Sequence, residues 1–252
     1  MTKKLDGTVA LVTGASSGIG EATAEVLADE GARVALVARR RDRLEALAER
    51  IGRDNALVIE ADVTDPDLAA GAVSQAVGQF GRLDTLVNNA GVMLLGPIVG
   101  APIDEWQRMI NLNLLGLLYC THAALPHLLA AAELEPRSVA DVVNVSSTAG
   151  RVARLNSGVY NATKHGVGAF SESLRQEVTR RHVRVTIIEP GATGTELAFH
   201  NRPEVLEAMA QNFEGTEIMQ ATDIAESIRY AVTQPRRVAV NEILVRPTEQ
   251  ER

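Results

Sequence analysis

The sequence predicts a protein of the α/β class, built on a single doubly wound parallel sheet with helices on both faces. Short apolar runs alternate with segments of helical periodicity along the whole chain. The runs are continuously apolar, which is typical of strands buried on both faces of a parallel sheet. No repeat, low-complexity segment or linker divides the 252 residues, so we expect one domain over residues 1–252.

Each element is predicted from its own local pattern. The predicted strands are apolar runs between turn residues: Thr8–Thr13, Arg33–Ala38, Ala56–Glu60, Thr85–Asn88, Asp141–Val145, Arg184–Glu189 and Glu242–Val245. The predicted helices are Gly18 to about Glu30, Arg41–Ile51, Asp65–Phe80, a long helix from about Asp104, Ser157–Arg181 and Asp223–Val232. Asp65-Pro66 supplies an N-cap and a proline at the first helical position. Residues 133–140 and 191–220 are predicted to be irregular.

Composition argues against several classes of function. A net charge of −7 disfavours a large nucleic-acid interface. No apolar run reaches the roughly 18 residues of a membrane span, and the N-terminus lacks a secretory apolar core and cleavage site. The single cysteine, Cys120, fits a reducing compartment. We therefore expect a cytoplasmic protein that binds a small molecule and neither nucleic acid nor membrane.

The chemically active side chains are densest between residues 147 and 164. Tyr160 follows Ser147 by thirteen residues, and Lys164 follows Tyr160 by four. Residues four apart on a helix share a face, so the phenol and the ammonium are expected to point into one pocket. An ammonium lowers the phenol pKa from its usual value of about 10, which predicts acid–base chemistry near neutral pH. A chance surface pair is the alternative. Among the 25 Lys and Arg residues, however, the only other lysines are Lys3 and Lys4, so a lysine inside the chain is unusual for this sequence.

A glycine-rich turn, Thr13–Gly20, separates the first predicted strand from the first helix. Gly14 is expected to permit the tight turn, Gly18 to let the backbone approach a pyrophosphate, and Gly20 to let the helix pack on the sheet. The N–H groups at the helix start favour phosphate. A purely structural turn is the alternative, and the absence of a G-K-[ST] ending disfavours a P-loop. We predict a dinucleotide site here.

With further motifs in order, the chain resembles the short-chain dehydrogenase/reductase family over nearly its whole length. The motifs are T-G-x-x-x-G-x-G at Thr13–Gly20, N-N-A-G at Asn88–Gly91, S-x(12)-Y-x-x-x-K at Ser147–Lys164 and P-G at Pro190-Gly191. The resemblance implies a Rossmann-type fold with a dinucleotide-binding part at about 1–146 and a catalytic and substrate-loop part at about 147–252. The stretches Asn89–Pro97 and Ile243–Pro247 resemble clavulanic acid dehydrogenase and related bacterial NADP-dependent alcohol dehydrogenases.

The resemblance also implies roles for individual residues. Tyr160 would be the general acid or base for hydride transfer between NADP(H) and a carbonyl/alcohol pair, Ser147 would orient the carbonyl oxygen, and Lys164 would bind the nicotinamide ribose. Asn113 would hold a water that links Lys164 to solvent; a satisfied core asparagine is the alternative. No metal site is expected. The implied cofactor contacts are Gly14, Ser16, Ser17, Gly18, Ile19, Gly20, Arg39, Arg40, Asp62, Val63, Asn89, Ala90, Gly91, Tyr160, Lys164, Pro190, Gly191, Thr193 and Thr195.

The end of the second predicted strand bears on the choice between NADP and NAD. NAD enzymes usually carry an acid there for the ribose 2′-hydroxyl, whereas this chain has Ala38 followed by Arg39, Arg40 and Arg41. Guanidinium groups bind phosphate bidentately, so we predict NADP(H), with Arg39 as the main contact and Arg40 second. A solvated basic helix start explains Arg41 but not the missing acid. The alternative functions are a catalytically silent nucleotide-binding sensor and an NAD-dependent hydroxy-acid dehydrogenase.

The substrate and the assembly are less constrained by sequence. Arg151 and His200 are candidates to meet a carboxylate. The predicted helix from Ser157 is rich in small residues, and the long helix from Asp104 is apolar on more than one face, which favours contact with a second subunit. The family resemblance implies a homotetramer that also uses Glu242–Pro247. Candidates for an apolar substrate wall, or equally for ordinary packing, are Met93, Leu94, Val152, Leu197, Phe199, Met209 and Phe213.

Overall fold

A seven-stranded parallel sheet with strand order β3-β2-β1-β4-β5-β6-β9 forms the centre of the computed structural model, which describes residues 3–212 and 215–251. Two further short strands, β7 and β8, pair with each other beside it. The strands are β1 Val9–Thr13, β2 Arg33–Ala38, β3 Ala56–Glu60, β4 Thr85–Asn88, β5 Ala140–Val145, β6 Val183–Pro190, β7 Thr193–Gly194, β8 Met219–Gln220 and β9 Glu242–Val245.

Helices cover both faces of this sheet, as the sequence predicts. They are α1 Gly18–Asp29, α2 Arg41–Ile51, α3 Pro66–Phe80, α4 Ile103–Ile110, α5 Leu117–Ala131, α6 Gly158–Val178, α7 Pro203–Asn212 and α8 Ala221–Val232. The Asp65 side chain caps α3 by accepting from the amides of Asp67 and Leu68 at 2.8 and 3.0 Å. The predicted helix bounds agree with these to within one or two residues, except that the turn after Val178 is a short 3₁₀ helix.

The alternating side chains of β1 divide the core into two layers. Val9 and Leu11 pack on the face covered by α3, α5 and α6, whereas Ala10 and Val12 pack on the face covered by α1, α2 and α8. All four side chains are buried. Successive residues of a strand point to opposite faces, so a sheet buried on both faces needs the continuous apolar runs from which the strands were predicted.

The order of the strands places a crevice at their carboxyl ends. β1 lies between β2 and β4, so the chain leaves the sheet in opposite directions on either side of β1. Ligands of open α/β sheets bind at such a switch point. The opposite end is held by buried ion pairs, Arg82–Asp84 at 2.6 Å and Arg184–Asp141 at 2.7 Å. The functional motifs are therefore all at one edge of a rigid sheet.

Residues Ile103–Ala131 form one helix that is long and apolar enough to cross a membrane by length and composition, with a mean hydropathy of 1.4. The sequence predicts this long helix, but its apolar residues do not form one contiguous run. Met109, Asn113, Cys120 and Leu128 are buried on its inner side. The helix packs against α3 and against strands β4 and β5, which is the arrangement of a core helix.

Two parts of the fold differ from the sequence-based expectation. Residues 191–220 were predicted to be irregular, but they contain α7 and the β7–β8 pair. Asn111–Gly116 is a π-helical segment between α4 and α5, where a continuous α-helix was expected. The β7–β8 pair and the π-helical segment both make contacts with distant parts of the chain, the latter through Asn113 and Val92.

Candidate active site

One large cavity, of about 1670 Å³, opens at the carboxyl edge of the sheet. It joins the glycine turn after β1 to the segment that follows β5, so the predicted cofactor and catalytic residues share one space. The predicted site residues that line it are Gly14, Ser16, Ser17, Gly18, Ile19, Arg39, Arg40, Asp62, Val63, Asn89, Ala90, Gly91, Ser147, Tyr160, Lys164, Pro190, Gly191, Thr193 and Thr195. Gly20 and Asn113 are not among the residues that line it.

Ser147, Tyr160 and Lys164 converge at the inner end of the cavity. Ser147 lies two residues after the end of β5 and caps a short 3₁₀ helix, where its hydroxyl accepts from the Ala149 amide at 3.1 Å. Tyr160 and Lys164 lie one turn apart on α6 and are 6% and 7% exposed. The spacing of four residues therefore brings the two side chains together as expected.

Tyr160 and Lys164 are buried away from water, and burial is the main cause of the pKa shift of each. Burial raises the pKa of Tyr160 to about 12, although a hydrogen-bonding interaction with Ser147 acts in the opposite direction. Burial also lowers the pKa of Lys164 to about 8. The Lys164 ammonium donates to the Val145 carbonyl at 2.9 Å and lies 5.8 Å from the centroid of the phenol ring. The expected lowering of the Tyr160 pKa by Lys164 is thus wrong for this state, because desolvation outweighs the ammonium.

Asn113 is buried in the π-helical segment, with its amide satisfied by protein groups. Its oxygen accepts from the Val92 amide and its nitrogen donates to the Val92 carbonyl, both at 2.8 Å. The nitrogen also lies 3.3 Å from the Thr163 hydroxyl on α6. The geometry matches the alternative of a satisfied buried asparagine, and it ties the chain after β4 to the helix that carries Tyr160 and Lys164.

The glycine turn is locked against the chain that follows β4. Gly14 has a φ of +67°, and a Cβ there would lie 2.9 Å from the Cα of Ala90. The Thr13 hydroxyl accepts from the amides of Asn89 and Ala90 at 3.0 and 3.1 Å. A Cβ at Gly20 would collide with the Gly14 carbonyl, so Gly20 serves close packing instead of lining the cavity. These contacts keep the start of α1 open toward the cavity.

The three arginines after β2 have different surroundings. Arg39 is exposed, and its closest anion is Asp62 at 3.7 Å, a loose contact. Arg40 lies over the glycine turn, where it donates to the hydroxyls of Ser16 and Ser17 at 3.0 and 2.7 Å. Arg41 points away and pairs with Glu45 on α2. Arg39 is therefore the arginine whose charge is least compensated at the end of β2.

The segment after β6 forms the opposite wall of the cavity. Thr193 donates to the Gly191 carbonyl at 3.1 Å, and Thr195 lies over Gly18, where a Cβ would approach the Thr195 methyl group to 3.1 Å. Glu196, which sequence reasoning missed, pairs with Arg40 at 2.7 Å and also with Arg43. An acid beside two arginines gives no local sequence signal when 156 residues separate it from Arg40.

The residues of this cavity fit a nicotinamide dinucleotide. The turn before α1 requires glycine at Gly14 and Gly18, where φ is +67° and +58° and a Cβ would crowd Ala90 or Thr195. The N–H groups at the start of the helix that follows favour phosphate. Asp62 is fixed by accepting from the Thr64 amide at 3.0 Å, next to Val63 on the cavity wall. Arg39 offers a cation where the ribose of such a molecule would end. Among residues 3–212 and 215–251, no group of His, Cys, Asp or Glu side chains is arranged to hold a metal ion.

Comparison with known proteins agrees with this geometry. The family model described as short chain dehydrogenase matches residues 8–206. The chain belongs to the short-chain dehydrogenase family. An uncharacterized oxidoreductase of Staphylococcus saprophyticus is 38% identical over 244 residues, which cover 96% of each chain.

Solved structures of short-chain dehydrogenases have the same fold. A closed form of serine dehydrogenase complexed with NADP⁺ is 31% identical, with a TM-score of 0.89 over 97% of each chain. A 3-ketoacyl-(acyl-carrier-protein) reductase of Brucella melitensis complexed with NADH is 29% identical, with a TM-score of 0.84 over 96% of this chain and 98% of that one. The chain is thus an oxidoreductase of this family, and the narrower resemblance to clavulanic acid dehydrogenase stays a prediction.

The substrate side of this short-chain dehydrogenase differs in part from expectation. Met93, Leu197, Phe199, Met209 and His200 line the cavity. Leu94 is instead buried in the cluster beneath Tyr160, and Val152 is exposed and is not among the lining residues. Arg151 bridges Glu189 through Nε and Glu242 through Nη2, so its guanidinium already has two carboxylate partners within the protein. Phe213 lies outside the described residues. Arg154, which the sequence did not single out, lines the cavity beside Ser157 and Tyr160.

Proposed function

We propose that the protein is an NADP(H)-dependent oxidoreductase that interconverts a carbonyl and a primary or secondary alcohol, with Tyr160 as general acid/base. The observation that carries this proposal is the convergence of Ser147, Tyr160 and Lys164 at one end of a cavity whose other end is the glycine turn and Arg39. A bound nicotinamide would supply or accept the hydride. The polypeptide holds the reacting groups in register, excludes water and moves the proton.

The proton is assigned to the Tyr160 hydroxyl. Because burial raises the pKa of this phenol to about 12, it carries its proton at neutral pH and can donate it to the oxygen of a carbonyl under reduction. Ser147 lies beside the phenol and would donate a hydrogen bond to the same oxygen. In the oxidative direction Tyr160 would act as the base, so that direction is favoured by alkaline solution.

Lys164 and Asn113 support this group in different ways. The pKa of Lys164, about 8, leaves its ammonium mostly charged at pH 7, next to Tyr160 and close to Gly91 on the cavity wall. We assign it to the ribose of the nicotinamide half. Asn113 is a positioning residue that fixes Val92 relative to Thr163 through its amide. The water that the sequence analysis assigns to Asn113, as a link from Lys164 to solvent, stays a prediction.

The preference for NADP(H) rests on the surroundings of Arg39. Ala38 occupies the end of β2, so no carboxylate stands where NAD enzymes usually bind the ribose 2′-hydroxyl. The side chain of Arg39 is 72% exposed and only loosely paired. A 2′-phosphate would find an undercompensated guanidinium there, with Arg40 and Ser16 beside it.

The test compares cofactors and reaction directions in one set of assays. Purified protein is mixed with NADPH or NADH and a panel of aldehydes, ketones and oxo acids, and with NADP⁺ or NAD⁺ and the corresponding alcohols. We expect turnover with NADPH at a higher kcat/KM than with NADH. Tight NADPH binding without turnover on any carbonyl would instead support a nucleotide sensor, and preference for NADH with hydroxy acids would support the NAD-dependent alternative.

We propose a homotetramer in the cytoplasm as the working form. β9 is an edge strand of the sheet, and Leu244 on it is 40% exposed. On α6, a Cβ at Gly168 would meet nothing within 4 Å, although Gly158 and Gly166 already pack against Ile98 and Leu114 of the same chain. Part of the small-residue surface is therefore available to another subunit, and part is used internally.

A further inference from the structure

An arginine beside the catalytic tyrosine has no carboxylate partner in this structure. Arg154 lies on the segment between Ser147 and α6 and lines the cavity together with Tyr160. Its side chain makes no ion pair within 4.0 Å with any of residues 3–212 and 215–251, whereas Arg151, three residues earlier, pairs with both Glu189 and Glu242. Burying a cation without a counter-ion is unfavourable in free energy, so binding of an anion at this position would be favourable.

The backbone of Arg154 is held in place by the catalytic helix. Its carbonyl accepts from the Asn161 side chain at 3.0 Å and from the Ser157 amide at 3.3 Å. Asn161 is buried and adjacent to Tyr160 in sequence. The backbone of Arg154 is therefore fixed relative to α6 near Tyr160, which favours a substrate-orienting role for its side chain.

A second arginine strengthens the positive potential at this position. Arg246 follows β9, and its Nε is buried without a hydrogen-bond partner in the described part of the chain. Burial lowers the pKa of the Arg154 guanidinium, and the positive charge of Arg246 lowers it further. In the cluster formed by Arg151, Arg154, Arg246, Glu189 and Glu242, three cations face two carboxylates, both of which Arg151 engages. One positive charge in this cluster is therefore left without a carboxylate.

Carboxylates elsewhere on the cavity do not cancel this charge. Glu204, Glu249 and Glu251 also line it, but all three are exposed at its rim. Exposed charges are screened by water and salt, whereas a partly buried cation is screened less. An anion that reaches the inner end of the cavity would therefore be attracted to Arg154 more strongly than it is repelled by the rim.

We propose that Arg154, reinforced by Arg246, is an anion subsite that binds a carboxylate of the substrate, so that the protein acts on oxo acids and hydroxy acids. This inference rests on the proposed function, because it names the substrate class of the same site. Arg154 would fix one end of the substrate while Ser147 and Tyr160 hold the carbonyl oxygen. A planar guanidinium suits a carboxylate because two parallel hydrogen bonds can form.

Binding can be tested without turnover. Protein saturated with NADP⁺, and the same protein without nucleotide, is titrated calorimetrically with propionate, succinate and inorganic phosphate. We expect a carboxylate to bind, and Arg154→Gln to weaken it by about tenfold or more, the loss of one charge-assisted pair. Arg53→Gln, which removes an equal charge from the exposed turn after α2, should leave the affinity unchanged. Equal affinities in wild type and Arg154→Gln, or tighter binding of phosphate than of either carboxylate, would overturn the assignment.

Kinetics then separate the subsite from the reaction. The kcat/KM for 2-, 3- and 4-oxo acids is compared with that for their methyl esters. Wild type should prefer one of the acids by about tenfold or more, and Arg154→Gln should lose that preference because its kcat/KM falls much further for the acid than for the ester. Arg154→Lys, which keeps the charge but not the planar fork, should fall between them. No preference for an acid contradicts the subsite, whereas carboxylate binding without any turnover contradicts only the proposed reaction.

Discussion

The carboxylate of Glu196 ion-pairs with the guanidinium of Arg40 across the mouth of the cavity, with 2.7 Å between Oε2 and Nη1. Arg43 pairs with the other oxygen of the same carboxylate. Hydrogen bonds from Arg43 and Arg40 lower the pKa of Glu196 to about 2. The segment after β6 is thus fastened to the start of α2 over the glycine turn. The contact also places a negative charge beside the arginines that we assign to the 2′-phosphate.

We therefore predict that Glu196→Gln tightens the binding of NADPH. Removal of one negative charge favours an added phosphate, and an exposed pair of this kind contributes about 0.2–1 kcal/mol, so the Kd should fall by a factor of about 1.4 to 5. NADH, which lacks the 2′-phosphate, should respond less. Fluorescence titration at low and high salt measures both affinities. Glu49→Gln, an equal change in an exposed pair with Arg53, is the control. An unchanged or raised Kd for NADPH would show that Glu196 does not oppose the phosphate.

A second prediction concerns Arg39. Arg39→Asp should weaken NADPH by at least about tenfold, because a charge-assisted pair worth about 1.5–3 kcal/mol is replaced by repulsion. The Kd for NADH should stay the same or improve, since an acid at the end of β2 can accept from the ribose 2′-hydroxyl. Arg41→Asp changes the charge of the neighbouring residue equally but should leave both affinities nearly unchanged. Similar losses in the two variants would mean a general electrostatic effect and no specific 2′-phosphate contact.

We predict that the buried ammonium of Lys164, which the reaction requires, lowers the free energy of unfolding. Its pKa falls from 10.5 to about 8, which corresponds to roughly 3 kcal/mol of unfavourable free energy for burying the ammonium below pH 8. Lys164→Met removes this cost and also the hydrogen bond to Val145, so we expect the free energy of unfolding at pH 7 to rise by about 1–2 kcal/mol.

The pH dependence of that difference follows from linkage. Between about pH 8 and 10.5 the unfolded chain keeps the lysine proton that the folded protein has released, so the stability of the wild type rises with pH over this window. The advantage of Lys164→Met should therefore shrink from pH 7 toward about pH 10. Urea unfolding at several pH values measures it. A variant that is less stable than wild type at pH 7 contradicts this account of the buried ammonium.

Local sequence patterns predict most of the helices and strands but fewer of the contacts in the candidate site. β1 was predicted over Thr8–Thr13 and occupies Val9–Thr13, because a buried parallel strand must be continuously apolar. The π-helical segment around Asn113 and the helix α7 were not predicted, since neither follows from periodicity alone. The π-helical segment depends on contacts such as that between the Asn113 amide and Val92.

The same distinction applies to the residues of the site. Tyr160 and Lys164 were found together because four residues on a helix fix their relation. Glu196 and Arg246 were missed because the arginines near them in the fold, Arg40 and Arg154, are far away along the chain. The direction of the Tyr160 pKa was wrong because desolvation is a property of the packed structure, and the spacing of two side chains does not contain it.

The molar mass of the protein in dilute solution, measured by light scattering, tests the predicted homotetramer. A homotetramer should have about four times the 26.9 kDa mass of one chain. Ala169→Arg places a long charged side chain on the exposed face of α6 and should lower the mass of the assembly. Gly78→Arg, on the exposed side of α3, is the matched control and should not. A wild-type mass near that of one chain would exclude the tetramer.

The central claim is that Tyr160 transfers the proton while the cofactor is bound elsewhere in the cavity. Tyr160→Phe removes only the hydroxyl, so it separates the two functions. With any carbonyl that the wild type reduces, we predict that the variant loses about a hundredfold or more in kcat, the usual range for a positioned acid. Its Kd for NADPH, measured by fluorescence titration on the same sample, should change by less than about twofold. A Tyr160→Phe protein that keeps the wild-type kcat would contradict the account.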